Sequence, residues 1–396
     1  MFNKLDLAPA DPILGLSTAF KNDSNPEKIN LGVGVYQDPS GQTPILKSVS
    51  IAEKRVISKA TTKSYLSIDG TAEYNVAVQK LLLGDEHEII SNSRAVTVQS
   101  PGGTGALRTA ADFITRHFPG ARIWLSQPTW ANHSKIFQSA GLEIITYPYF
   151  DPSKNEIAFE AMIESLKQVK NGDIVLLHGC CHNPTGVDPS AEQWKEIGDL
   201  SEKTGWIPLV DFAYQGFGDN LDQDAAGLRS LCRTGSELLI ASSFSKNFGL
   251  YQERIGALTL VAETTEAALN SLSHLKIGIR TSYSNPPAHG SAIVTEILND
   301  SKLRNIWISE VDEMRKRINE IRNLFVSTLR EKGASRDFSY IARQRGMFSY
   351  SGLSNKQVES LRDERSIYIV EGGRINVAGM TESNMETLCS AIVSVL

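Results

Sequence analysis

Lys246 has unusual neighbours for a lysine. It stands in Ser242-Ser243-Phe244-Ser245-Lys246-Asn247-Phe248-Gly249, with no charge beside it. Burial disfavours an ammonium and lowers its pKa, and the neutral amine that results is a nucleophile able to form a Schiff base with a carbonyl compound. Arg254, eight residues on, is a permanent cation suited to holding a phosphate. The competing reading is a surface turn with a stray lysine, so the rest of the chain has to decide.

Short apolar runs flank this stretch, Glu237 to Ala241 before it and Ile255 to Val261 after it, which places Lys246 on a loop between two strands. Further strands are expected at Ala95 to Gln99, Arg122 to Ser126, Glu143 to Tyr147, Asp173 to His178 and Trp206 to Phe212. Helices are expected at Gly105 to His117, Trp130 to Ala140, Phe159 to Val169 and Ala191 to Thr204. Strands alternating with helices predict an α/β domain around a mostly parallel sheet. Ligands of such sheets bind beyond the carboxyl ends of the strands.

The strand ends carry distinctive residues. Ser100-Pro101-Gly102-Gly103-Thr104-Gly105 is a turn that leads into a helix, and glycine-freed amides there make an anion site, although a glycine-rich turn alone is a weak signal. Trp130 is either a ring-stacking residue or part of the core. His178, Cys180, Cys181 and His182 invite a zinc reading, but C-x2-C spacing and a second ligand pair are missing, so no metal is expected. Asn183, held extended by Pro184, is placed to bond a ligand. Asp211 follows Ile207-Pro208-Leu209-Val210, and a buried carboxylate needs a cationic partner, either a structural salt bridge or a protonated ring nitrogen. Together these residues match the needs of a phosphorylated aromatic aldehyde.

Around this region, helices are expected at Lys47 to Lys59 and Glu73 to Leu83, and Asp11-Pro12-Ile13-Leu14-Gly15-Leu16 starts a short amphipathic one. Ser301 to Lys332 carries apolar residues at spacings of four and three, the pattern of one long helix. Strands Gly346 to Ser351, Ile367 to Val370 and Arg374 to Val377, with helices Asn355 to Arg365 and Glu382 to Val395, predict a smaller α+β domain. The chain of 396 residues carries a net charge of −5, which argues against non-specific nucleic-acid binding. It has no run of about eighteen apolar residues for a membrane span. Asp6 and Asp11 interrupt any secretory core, and the four cysteines make no disulfide framework, so a cytoplasmic location is expected.

The segments Pro101 to Leu107, His182-Asn183-Pro184-Thr185-Gly186, Asp211 to Phe217, Ser245 to Tyr251 and Arg374 to Met380 resemble the class I pyridoxal-phosphate aminotransferases, closely the aspartate and aromatic branch. The resemblance implies a type I fold, with a large cofactor domain at 46–312 and a small domain of 1–45 and 313–396. It implies that Lys246 carries pyridoxal 5′-phosphate and shuttles a proton, and that Asp211 pairs with the ring nitrogen. Asn183 and Tyr214 would bond the ring oxygen, and Trp130 would stack on the ring. Gly102, Gly103, Thr104, Ser243, Arg254 and Tyr65 would surround the phosphate. Arg374, with Gly34, Trp130 and Asn183, would bind the substrate α-carboxylate, and Arg280 its side-chain carboxylate. Tyr65 and Arg280 would come from the neighbouring subunit of a homodimer. The implied reaction converts aspartate and 2-oxoglutarate to oxaloacetate and glutamate. An aromatic-amino-acid aminotransferase is the alternative, since such relatives keep the same arginine; Thr104 and Asn285 lean toward the aspartate branch. A cofactor-sensing regulator would carry an added DNA-binding domain, and a nucleotide-binding loop would need a lysine that Gly102 to Gly105 lacks.

Overall fold

The computed structural model describes residues 2–7 and 12–396, with side chains described from Gly15 onward in the second stretch. The expectation for Asp11 lies outside the described residues, and the helix after it spans Pro12–Asn22. The chain forms two compact units, one of residues 44–183 and 187–315, the other of 1–43, 184–186 and 316–396.

The larger unit is built on a seven-stranded sheet. In spatial order its strands are Ala95–Pro101, Ile255–Val261, Leu238–Ser243, Ile207–Phe212, Ile174–His178, Arg122–Gln127 and Glu143–Pro148. The last five pair in parallel, whereas Ile255–Val261 runs antiparallel to both its neighbours. All seven residues of that strand are buried, as are all five of Ile174–His178. Unbroken apolar runs of this kind are what a sheet covered on both faces requires. Helix Gly102–His117 places Ala106, Leu107, Ala110, Ala111 and Ile114 in the core beside Val98 and Leu258. Their spacing of three and four lines one helix face.

This helix begins at Gly102, three residues earlier than expected. Its first turn therefore includes the glycine run itself, and the amides of that run are helix-terminal donors. Two long helices escaped the sequence reading, Thr265–Ser282 and Ala288–Asn299, and so did three short ones, Glu88–Ser91, Leu221–Asp224 and Ala226–Leu231. Thr265–Ser282 buries only Ala268, Leu275 and Ile279 among the described residues, too sparse a stripe to stand out in a polar segment.

In the smaller unit, Phe348–Tyr350 pairs antiparallel with Arg374–Asn376, and Ile29–Asn30 pairs in parallel with Ile367–Tyr368. The strand Ile29–Asn30 is only two residues long. Helices Asn355–Arg365 and Glu382–Ser394 each start with a capping box, Ser354 with Gln357 and Thr381 with Asn384. No helix among the described residues is long and apolar enough to cross a membrane.

Candidate active site

Strand Leu238–Ser243 ends, the chain turns through Lys246, and strand Ile255–Val261 returns beside it. Lys246 is half-buried, and its Nζ lies 4.8 Å from the centre of the buried Tyr214 ring. Burial, with a contribution from the Arg254 charge, lowers its pKa to about 8 against the opposing pull of Asp211. About a tenth of this amine is therefore unprotonated at pH 7, against far less for an ordinary lysine. The rate of reductive methylation of Lys246 in the cofactor-free protein should rise with pH to a half-maximum near 8. Labelling followed by peptide mass spectrometry measures this, and a midpoint near the ordinary lysine value would contradict it.

Asp211 lies near the end of strand Ile207–Phe212, paired in register with His178 of the next strand. Burial pushes its carboxyl up, but the His133 hydrogen bond and the charges of His133, His178 and Lys246 bring the pKa below the ordinary carboxylate value. His133 Nε2 meets Asp211 Oδ2 at 3.0 Å, while His133 Nδ1 lies 2.8 Å from Thr129 Oγ1. Thr129 Oγ1 in turn is 3.0 Å from His178 Nε2, and burial pushes His178 down to about 3. An ionised carboxylate is thus backed by a hydrogen-bonded chain of two buried histidines joined by the half-buried Thr129, which holds its orientation. Trp130 is half-buried and packs edge-on against His133, with ring centres 5.2 Å apart. The sequence reading singled out Asp211 and Trp130 but missed this chain. Its one legible trace was His133 three residues after Trp130, on the first turn of helix Asn132–Ser139.

An anion-binding cup faces this group. Pro101, the residue before helix Gly102–His117, caps none of its amides with a side chain. Gly102 adopts a φ of +74°, and a Cβ there would run into the Arg254 guanidinium. Gly103 rests against Ser243, where a Cβ would stand 3.0 Å from Ser243 Cβ. Arg254 donates to Ser245 Oγ at 3.0 Å and Tyr251 O at 3.3 Å, and has no carboxylate partner among the described residues. Uncapped helix amides, two hydroxyls and an uncompensated guanidinium make a site for a dianion. Ser245 was not singled out from the sequence. Thr104 is half-buried on the same first turn.

Asn183 is buried, and its side-chain oxygen has no partner among the described residues. The neighbouring histidines and cysteines have contacts of their own. His182 Nε2 lies 3.0 Å from Ser126 Oγ with its ring stacked on Tyr149, and His178 faces Thr129. Cys180 and Cys181 come near Asp224, but that carboxylate already accepts the amides of Gly216, Gly218 and Asp219 at 2.8 to 2.9 Å.

In one chain the larger unit thus gathers Lys246, Asp211, Tyr214, Trp130, Asn183, Ser243, Arg254 and Gly102 to Thr104. It does not gather Tyr65, which is 91% exposed, or Arg280, an exposed side chain bonded to Ser284 Oγ. Gly34 and Arg374 belong to the smaller unit. There Arg374 is buried, donates to Gly32 O, and lies with Cζ 4.4 Å from the centre of the Phe348 ring. A Cβ on Gly34 would meet that ring at 2.8 Å.

The family Aminotransferase class I and II matches residues 26–392. The aspartate aminotransferase of Haemophilus influenzae is 55% identical over 396 residues, covering 100% of both chains, and that of Escherichia coli is 53% identical over the same span. Among solved structures, the aromatic-amino-acid aminotransferase from Burkholderia pseudomallei, covalently bound to pyridoxal phosphate, matches with a TM-score of 0.97 at 46% identity, covering 100% of this chain and 99% of that one. The α/β architecture expected from the sequence is the one shared with that structure. With a family match over most of its length and full-length relatives above half identity, the chain belongs to the class I and II aminotransferases.

Proposed function

We propose that the protein is an aspartate aminotransferase that uses pyridoxal 5′-phosphate to move the amino group of L-aspartate to 2-oxoglutarate, giving oxaloacetate and L-glutamate. The observation that carries this reading is the low-pKa amine of Lys246, set between an ionised Asp211 and the uncompensated cation of Arg254. The residues fit the cofactor's ends, a carboxylate for a protonated ring nitrogen and a cup for a phosphate. When bound, the cofactor supplies an aldehyde to carry the amino group and a ring that draws electrons from the substrate Cα.

The chain's own groups do the rest. The Lys246 amine would hold the cofactor aldehyde, and as a free base it would take and return the proton at the substrate Cα. Asp211 keeps the ring nitrogen protonated, and His133 keeps Asp211 charged and aimed. Gly102, Gly103, Thr104, Ser243 and Arg254 bind the phosphate. Trp130 stacks on the ring, while Asn183 and Tyr214 bond its oxygen. Arg374, whose guanidinium offers a two-point fork, is assigned the α-carboxylate, and Arg280 the side-chain carboxylate.

Tyr65 and Arg280 fit this scheme as residues lent to the neighbouring subunit of a homodimer. The exposure of Ile45, Ile57, Tyr65, Leu269 and Ile277 supports a surface that a second copy covers. A cytoplasmic location accords with the absence of a membrane-crossing helix among the described residues.

Arg280→Asp should lower kcat/KM for aspartate by about 10²-fold or more, because a carboxylate then meets a like charge. An unchanged value would remove Arg280 from the substrate site. The aromatic alternative rests on the 46% identity to the Burkholderia pseudomallei enzyme, which is below the 55% and 53% shared with the two aspartate aminotransferases. Comparing kcat/KM for aspartate and tyrosine on the purified protein decides between them, with aspartate expected to lead.

A further inference from the structure

Behind the anion cup, Gly256 lies opposite Ser100 on one side and Ser243 on the other. A Cβ on Gly256 would stand 2.5 Å from the carbonyl carbon of Gly102, 2.8 Å from its oxygen and 2.6 Å from Ser242 O. The Gly102 carbonyl is therefore seated back on the sheet, over a residue that has no side chain to push it away. The Ser100 hydroxyl, 0% exposed, donates to that same oxygen at 3.0 Å. The Gly256 carbonyl is tied down in its turn by the buried Tyr74 hydroxyl at 2.8 Å. Two carbonyl oxygens at the base of the cup are thus each held by a hydroxyl of the chain.

A trans peptide carries its C=O and N–H on opposite sides. With the Gly102 oxygen tied toward the sheet, the Gly103 N–H must point the other way, toward the side where the dianion would sit. Gly102, at a φ of +74°, has no side chain to resist rotation of this peptide. Rotation would turn a carbonyl oxygen on the anion in place of a donor; the helix of which Gly102 is the first residue opposes it, and the Ser100 hydrogen bond adds to that hold.

We infer that Ser100 is a positioning residue, whose hydroxyl fixes the Gly102–Gly103 peptide so that the Gly103 amide donates to the cofactor phosphate. This rests on the proposed placement of the phosphate in the cup. Ser100 touches neither cofactor nor substrate. Its effect should appear in recognition of the phosphate and nowhere else in the cofactor.

The test uses the cofactor-free protein and two ligands that differ only in the phosphate, pyridoxamine phosphate and pyridoxamine, with binding followed by tryptophan fluorescence or calorimetry. Ser100→Ala should weaken pyridoxamine phosphate about tenfold, the scale of one buried hydrogen bond. It should leave pyridoxamine within about twofold, and Ser100→Thr, which keeps the hydroxyl, should restore the phosphate form. Equal weakening of both ligands, unchanged affinity for the phosphate form, no rescue by threonine, or failure of Ser100→Ala to fold where Ser100→Thr also fails, would each overturn the inference. Arg254→Gln tests the underlying placement separately. If it leaves pyridoxamine phosphate binding unchanged, the cup is not the phosphate site; if it weakens binding while Ser100→Ala does not, the role given to Ser100 alone is wrong.

Discussion

Lys246→Ala should lower the transamination rate with aspartate and 2-oxoglutarate by about 10⁴-fold or more. Proton transfer by a positioned base is worth roughly 10²- to 10⁴-fold, and the same side chain also serves as the covalent anchor, so its loss removes both contributions. Alanine leaves space beside Tyr214 but supplies no polar group, so folding should persist and the loss should fall on turnover. Lys246→Arg should be no substitute, since a guanidinium stays charged where this amine has a pKa of about 8. Steady-state assay of the purified variants decides the matter. Turnover of Lys246→Ala at the wild-type pace would end the assignment of the reactive amine.

The second large effect is expected at Asp211. Asparagine keeps the shape and the contact with His133 but removes the charge, and loss of one preorganised electrostatic group typically costs about 10²- to 10³-fold in kcat. The pH behaviour follows from the sign of the shift. The carboxyl pKa lies below its ordinary value, so the stability this charge contributes is present above the unfolded-state pKa of about 4 and is lost only as pH falls through the lower folded value. Asp211 is therefore ionised throughout the working range, and the wild-type rate should show no acid limb from it above pH 5. A pH–rate profile for the wild type beside Asp211→Asn measures both statements. Equal kcat in the two proteins would show that the ring nitrogen needs no partner here.

The sequence made the individual chemical groups legible but not their connections. Lys246 stood out because charges are absent around it, and Asp211 because four apolar residues precede it. Both signals are local, and both residues sit in the larger unit's site. The chain of Thr129, His133 and His178 was not legible, because its members are separated by up to 49 residues and meet only through strand register. Strand Ile255–Val261 was found, but its reversed direction was hidden, since an apolar run reads alike from either end. The early start of helix Gly102–His117 was missed because glycines argue against helix by propensity, while here they form a first turn whose amides are left for a ligand. Ser245 was passed over for a related reason: a serine among serines carries no signal until Arg254 folds back upon it.

The reversed strand has a geometric consequence. Because the chain doubles back immediately after Lys246, the reactive nitrogen and the guanidinium are mounted on one short span of backbone, at the same rim of the sheet. Under the proposed function, that span would set the separation between the group assigned to the aldehyde and the group assigned to the phosphate. Lengthening or shortening it by one residue would change the gauge while leaving every individual group intact.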